Sequence, residues 1–416
     1  MAQTNRTTRA FVLFLIQPFA GFIASLKVMD TRIGKFIFIT FCTLWGYAQS
    51  FTYTSADVYR LGATFCQHGI YDFSAIISMF AEGRAVDGYL LVVNYLVHQF
   101  SNNAKVYFAF LGLIYGWFCY SVLASLIKET TNGSSKQLVH ILVLLFATAS
   151  FANLSMPRYW TAAWISALVF LKITQGKKRW VWGAIVLSLI HFSFVPIAVA
   201  LIAIALANNS LSNIPKVLFW AVLVMFLLSF VMPETVIARL LPEDMINENA
   251  KLASKYGYVS GEGGDDMVLK EVSAYREANG IVTRLFHFLM KTGSFFLLVY
   301  FHLRRNTIRN DKKVWITYIS ALCVAFVAYF MSIIPSTGWR YINVLWLYLY
   351  ILLYRYYDLF RPNKFQNLTL GLYAMNIYTI SFMFYVTYRT VDLLLFYAPL
   401  PIVIIHGIGF PPVYFV

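Results

Sequence analysis

Four carboxylates, Asp57, Asp72, Glu82 and Asp87, fall within one stretch of 31 residues. Aromatic residues interleave with them: Tyr59, Phe65, Tyr71, Phe73, Phe80 and Tyr89. A carboxylate accepts a hydrogen bond from a hydroxyl or takes its proton, and an aromatic face packs on an apolar one. Together they suit a sugar. Asp57 and Glu82 are the candidate acid–base groups; Tyr59, Arg60, Asp87 and Tyr89 are candidate contacts. The competing reading is an interfacial loop, a depth that Tyr and Trp favour in any case. Arg60, three residues beyond Asp57, is also spaced to pair with it.

Three further groups stand out by position. Arg158, in "SMPRYW", and Arg340, in "STGWRY" beside Tyr341, each sit between two apolar runs with almost no loop. A cation at the bilayer centre is disfavoured by at least about 2.5 kcal/mol, so each calls for an anion or water. An internal carboxylate would serve, and so would a lipid diphosphate, whose oxygens match the guanidinium fork. A snorkelling side chain is the plain alternative. His191, in "SLIHFSFVP", ends a short apolar run just before Pro196. It reads as a hydrogen-bonded buried imidazole, or as a proton acceptor or phosphate donor. Arg389 reads as a helix-end anchor.

Other chemistries find no support. The histidines form no HxxxH or HExxH pattern, and Cys42, Cys66, Cys119 and Cys323 form no CxxC, so no metal site is expected. There is no GxxxxGK[ST], no GxGxxG in a strand–turn–helix setting and no GxSxG. No cofactor is expected.

The elements that must position these residues are membrane helices. The chain is 60% hydrophobic and 12% charged, with mean hydropathy +0.66, against about 25% charged for a soluble domain. Helices are then the way to satisfy the backbone in lipid. Apolar runs cover 34–53, 105–127, 138–155, 159–175, 180–192, 194–208, 216–232, 282–303, 314–333, 341–358 and 366–388, with 11–26, 86–100 and 393–416 ambiguous. The expected fold is one all-α polytopic membrane domain over 1–416, with about 11–13 membrane helices. The net charge of +15 does not indicate nucleic acid, because the bases lie in short loops between apolar runs. "KETTNGSSK" (128–136), "GKKR" (176–179), "RRNTIRNDKK" (304–313) and "RYYDLFRPNK" (355–364) define the cytoplasmic face. Asp30, Glu129, Asp311 and Asp358 lie beside these loops and read as solvated surface charge. The outer face then carries 54–104, with 86–100 as a re-entrant or interfacial helix, and a large loop, 233–281, with nine acids and five bases. The N-terminal run after Arg6 and Arg9 lacks a small-x-small cleavage site and reads as an uncleaved or interfacial helix.

In this order the elements resemble a known family. "ADVYR" after the first long run, "EGRAVDGYLLVVNYL", "PRYWTAAWISAL", "GKKRW" before "SLIHFSF", and "WRYINVLW" look like the EpsG-like branch of the Wzy polysaccharide polymerases, over residues 34 to 360. Where the family usually has Gly-Asp-Tyr, this chain has Ala56, Asp57 and Val58, so Tyr59 carries over by spacing alone. The resemblance implies a GT-C-like glycosyltransferase of the bacterial inner membrane, active on its periplasmic face. It would move a growing O-antigen, capsule or exopolysaccharide glycan from undecaprenyl diphosphate onto a lipid-linked repeat unit, without metal. A chain-length regulator is a partner such enzymes can have. Arg158 and Arg340 would hold the diphosphate, Asp57 or Glu82 would act on the acceptor hydroxyl, and His191 would be a second base or a diphosphate donor. An O-antigen ligase shares this donor chemistry. A lipid-linked glycan flippase is the rival of a different class, and bases buried in mid-span would favour it. A cysteine introduced at Gly263 should react with a membrane-impermeant thiol reagent from outside the inner membrane. Labelling only from the cytoplasm would overturn this topology.

Overall fold

The computed structural model describes residues 2–52, 57–82, 84–85, 87–130, 136–206, 214–232, 281–333, 335–360 and 365–409. The expected outer loop 233–281 lies outside them except for its last residue, as do residues 410–416. Regular structure among the described residues is helical, apart from one isolated β-bridge between Gln49 and Val391. In chain order the helices are α1 (Ala2–Ile16), α2 (Pro18–Ser25), α3 (Arg32–Tyr47), α4 (Asp57–Gln67), α5 (Phe73–Ala81), α6 (Tyr89–His98), α7 (Ala104–Glu129), α8 (Lys136–Thr148), α9 (Pro157–Thr174) and α10 (Val181–Ile190). They continue with α11 (Val195–Leu206), α12 (Ile214–Val231), α13 (Ile281–Leu303), α14 (Arg305–Ile308), α15 (Lys312–Met331), α16 (Pro335–Phe360), α17 (Phe365–Thr390), α18 (Leu394–Tyr397) and α19 (Leu400–Gly409).

Among the described residues six stretches are long and apolar enough to cross a membrane: Ala104–Glu129, Lys136–Ser155, Ile214–Val231, Arg284–Leu303, Lys312–Met331 and Leu368–Thr390. This is the pattern of a polytopic helical membrane protein. Every other apolar run read as a span is also helical, but shorter or more polar. α10 and α11 have 10 and 12 residues and are joined by a break at His191–Phe194. α6 has 10 residues, a rise of about 15 Å, half of what a crossing needs. On α12, Val217, Trp220, Val224, Leu227 and Val231 form an exposed apolar stripe, while Phe219, Val222 and Phe226 face inward. An exposed stripe of this kind suits lipid as the solvent.

α9 and α16 form the centre. From Tyr159 to Leu171 every residue of α9 is buried, and on α16 the same holds from Ile342 to Asp358. A helix buried all round is a core helix. Both are too polar to register as lipid-facing spans, and the surrounding helices spare them contact with lipid. They run parallel: the rings of Tyr159 and Tyr341 lie 6.0 Å apart near their N-termini, and Arg355 reaches Thr174 at their C-termini.

The closest helix contact is α3 on α7. Gly112 and Gly116 are four residues apart, and a Cβ on Gly112 would stand 2.3 Å from the carbonyl oxygen of Cys42. A Cβ on Gly46 would stand 2.0 Å from that of Phe108. Small residues at this spacing let membrane helices pack backbone to backbone.

The described residues of the four basic stretches meet at one end of the bundle, but two of their acids are not solvated. Glu129, expected as surface charge, is only 12% exposed and receives both Nε (3.0 Å) and Nη2 (2.9 Å) of Arg355, itself 5% exposed. Asp358 is also buried. The reason is tertiary: α16 brings Arg355 beneath the end of α7. Asp311 caps α15, accepting from Val314 N–H at 2.9 Å.

Two glycine substitutions separate packing from helix propensity. Gly371 has open space around it, so Gly371→Ala should raise stability by up to about 1 kcal/mol. Gly112→Ala should instead lower it by about 1–3 kcal/mol, measured by thermal unfolding in detergent.

Candidate functional site

At the N-terminal ends of α9 and α16 the chain assembles a charged, aromatic cluster. α9 starts at Pro157, whose missing N–H costs nothing at a first helical position. Arg158 follows, still in the first turn, at the positive end of the helix dipole, where a cation is disfavoured. Asp87 supplies the compensation. Its two oxygens lie 2.8 and 3.0 Å from Nη1 of Arg158, and it is 5% exposed against 34% for the arginine. Asp87 is held there by its neighbours: Gly88 N–H donates to the Leu189 carbonyl at the end of α10, at 2.9 Å.

Around this pair stand Tyr89, Tyr107 and Thr161. The hydroxyl of Tyr89 lies beside that of Thr161, and Tyr107 is within electrostatic reach of both Tyr89 and Arg158. One residue on, Tyr159 faces His191 edge to face at 5.4 Å, and Arg340 is close enough to act on the Tyr159 hydroxyl. That hydroxyl is buried without a hydrogen-bond partner among the described residues, a costly arrangement. Arg340 is half-buried and has no ion-pair partner among the described residues. Tyr341 donates to the Ser193 carbonyl and so ties α16 to the α10–α11 break.

His191 closes α10 in extended conformation and caps the short turn that follows. The Ser193 N–H donates to its Nδ1 at 3.3 Å, and the Ser193 hydroxyl is 2.7 Å from the same nitrogen. With Nδ1 accepting, the proton of the neutral ring sits on Nε2. The imidazole is thereby set up as a hydrogen-bond donor rather than as a base. Pro196 falls at the second position of α11, so it opens that helix; the break lies before it.

Arg158, Asp87, Tyr89, His191, Arg340 and Tyr341 are thus brought together. Asp57, Tyr59, Arg60 and Glu82 are not among them. Asp57 pairs with Arg60 on exposed α4, and Glu82 pairs with Arg84. Asp72 caps α5; hydrogen bonds from the Ser74 hydroxyl and N–H hold its carboxyl below the usual range. Tyr59 packs with the satellite core that joins α4, α6 and the start of α7, where Phe65 stacks on Tyr107 at 4.4 Å. Of the four outer acids, Asp87 alone crosses to another element among the described contacts.

Sequence reasoning missed one ion pair and one buried lysine. The Glu129–Arg355 pair lies at the opposite end, and its signal was an acid and a base each ending a long apolar run. Lys291 sits midway along α13, buried, donating to the Ser229 carbonyl at 2.9 Å with Nζ 4.0 Å from the Phe230 ring centre. It was visible as the one base inside 285–303. No cluster of three or more potential metal ligands occurs among the described residues.

A double-mutant cycle tests the central pair. Asp87→Ala strands a partly buried guanidinium, so it should cost more than Asp87→Ala adds in an Arg158→Ala background. The expected coupling is about 1–3 kcal/mol, read from thermal unfolding. No family model matches the chain, and neither a curated protein nor a solved structure does.

Proposed function

We propose that the chain is a Wzy-type polysaccharide polymerase of the bacterial inner membrane. It transfers a growing glycan from undecaprenyl diphosphate onto a lipid-linked repeat unit at the periplasmic face. The reading includes a GT-C-like arrangement of about 11–13 membrane helices and a large periplasmic loop, 233–281, over the site. One observation carries it: Arg158 and Arg340 sit toward the N-terminal ends of two parallel buried helices, and among the described residues Arg158 pairs with Asp87 while Arg340 has no ion-pair partner. With one of two positive charges offset, the site retains charge for an anion, and two helix N-termini add to it.

In the reaction the acceptor hydroxyl oxygen attacks the anomeric carbon of the donor. The bond to the diphosphate breaks, the electron pair leaves with the diphosphate, and the hydroxyl proton passes to a carboxylate. Arg340 and Arg158 meet the charge that develops on the leaving group. Asp87 holds Arg158 in place beforehand, so little reorganisation is needed at that moment. His191 donates through Nε2 to the same oxygens. Asp57 or Glu82 receives the acceptor proton from the outer segment, released from its arginine neighbour when the acceptor binds. Tyr59, Arg60, Tyr89 and Tyr341 flank the sugars.

Lys291 is the observation in favour of a flippase, because it is a base buried in mid-span. It is turned toward α12, however, and its ammonium is already engaged by the Ser229 carbonyl. A ligase acting on the same donor is not separated from a polymerase by these residues.

In cells, Arg158→Ala and Arg340→Ala should each cut polymerisation about 10²–10³-fold at unchanged protein level, the typical effect of losing one preorganised charge donor. Long-chain polysaccharide persisting in both variants would remove the diphosphate role. Asp57→Asn and Glu82→Gln, each compared with normal chain-length distribution, identify the acceptor carboxylate; normal products from both would exclude that role for either residue.

A further inference from the structure

A large cavity lies not at the cluster above but at the other end of the bundle. It has a volume of ≈ 730 Å³, within the range of small-molecule sites, about 300–1,000 Å³. Its floor is the buried Glu129–Arg355 pair. Arg355 also donates to Thr317 at 2.8 Å and Thr174 at 2.9 Å, and Gln175 donates to Glu129 at 2.6 Å. The floor is therefore rigid, with its charge internally balanced.

The rim is different. Lys178, Arg309, Lys312 and Lys313 line it, and all four are exposed. Arg309, Lys312 and Lys313 form no ion pair among the described residues. The rim acid Asp311 is committed to capping α15. Over the whole lining five bases stand against three acids. One wall is apolar, made by Ile204 and Ala205 of α11 with Val314 and Ile316 of α15. Strong positive charge above a balanced floor, beside an apolar wall, matches an anionic group carried on something amphiphilic.

We propose that this cavity binds a phosphate group. The apolar wall suits the headgroup of an anionic membrane lipid, and a free diphosphate offers the same chemistry. The site is separate from the cluster of Arg158 and Arg340 and does not depend on the activity proposed for it.

The test uses the purified full chain in nanodiscs of phosphatidylcholine. Phosphatidylglycerol is titrated in one arm and inorganic diphosphate in the other, with thermal stabilisation and retained lipid as readouts. Wild type should be stabilised in at least one arm, and which arm identifies the source. The triple variant Arg309→Ala, Lys312→Ala, Lys313→Ala should bind roughly ten- to a hundredfold more weakly. A control losing Arg6, Lys27 and Lys128, none of which lines the cavity, should bind as wild type does. Ala205→Trp, which fills space without removing charge, should also weaken binding. Equal losses in the triple variant and the control would reduce the effect to general surface charge and overturn the site. Absence of stabilisation of wild type in both arms would overturn it as well.

Discussion

A guanidinium drawn out of water has to meet an anion, and this chain places arginines at both ends of one central helix pair, Arg355 buried and Arg158 half-buried. Arg355 is neutralised by Glu129 where α7, α9 and α16 end. Arg158 is neutralised by Asp87 where α9 begins. Breaking a buried pair by removing one partner typically costs about 3–5 kcal/mol. The two pairs thus fix how the central helices sit against α7 and against the segment before α6. The remaining helices serve as an apolar sheath. Close approach at Gly46, Gly112 and Gly116 locks α3 onto α7, and exposed stripes such as that of α12 face outward.

The two ends use their charge differently. At the Arg355 end the pair is saturated by Thr174, Thr317 and Gln175, so it serves as a floor. At the Arg158 end the pair leaves Arg340 without an ion-pair partner among the described residues, near a tyrosine hydroxyl with no hydrogen-bond partner among them and an imidazole oriented as a donor. Asymmetry of this kind is what a site for a transferring anionic group requires. The proposed diphosphate chemistry would lie at this end, toward the N-termini of α9 and α16.

The helices were legible from the sequence because lipid demands long apolar runs, and among the described residues each run contains a helix. The short break at His191 was legible as well. Partners were not. Asp87 and Arg158 are 71 positions apart and Glu129 and Arg355 are 226 apart. No local pattern encodes either pairing. Acids with a base two or three residues away, Asp57 and Glu82, drew attention because they were crowded, yet a near neighbour satisfies each. Asp87 too has a base three residues away, Arg84, but that base pairs with Glu82, so local spacing does not mark Asp87. The runs 159–175 and 341–358 were read as spans and are helical as α9 and α16, but their all-round burial was not legible: a helix sheathed by others can carry tyrosine, asparagine and arginine that a lipid-facing span cannot.

The central claim is that the Arg158–Arg340 end acts on a lipid-linked glycan. Purified protein in proteoliposomes, supplied with undecaprenyl-diphosphate-linked repeat units, tests it most directly by the length of the glycan formed. The account predicts chain extension that is lost in Arg340→Ala. Repeat units that stay single while moving between the leaflets would contradict it.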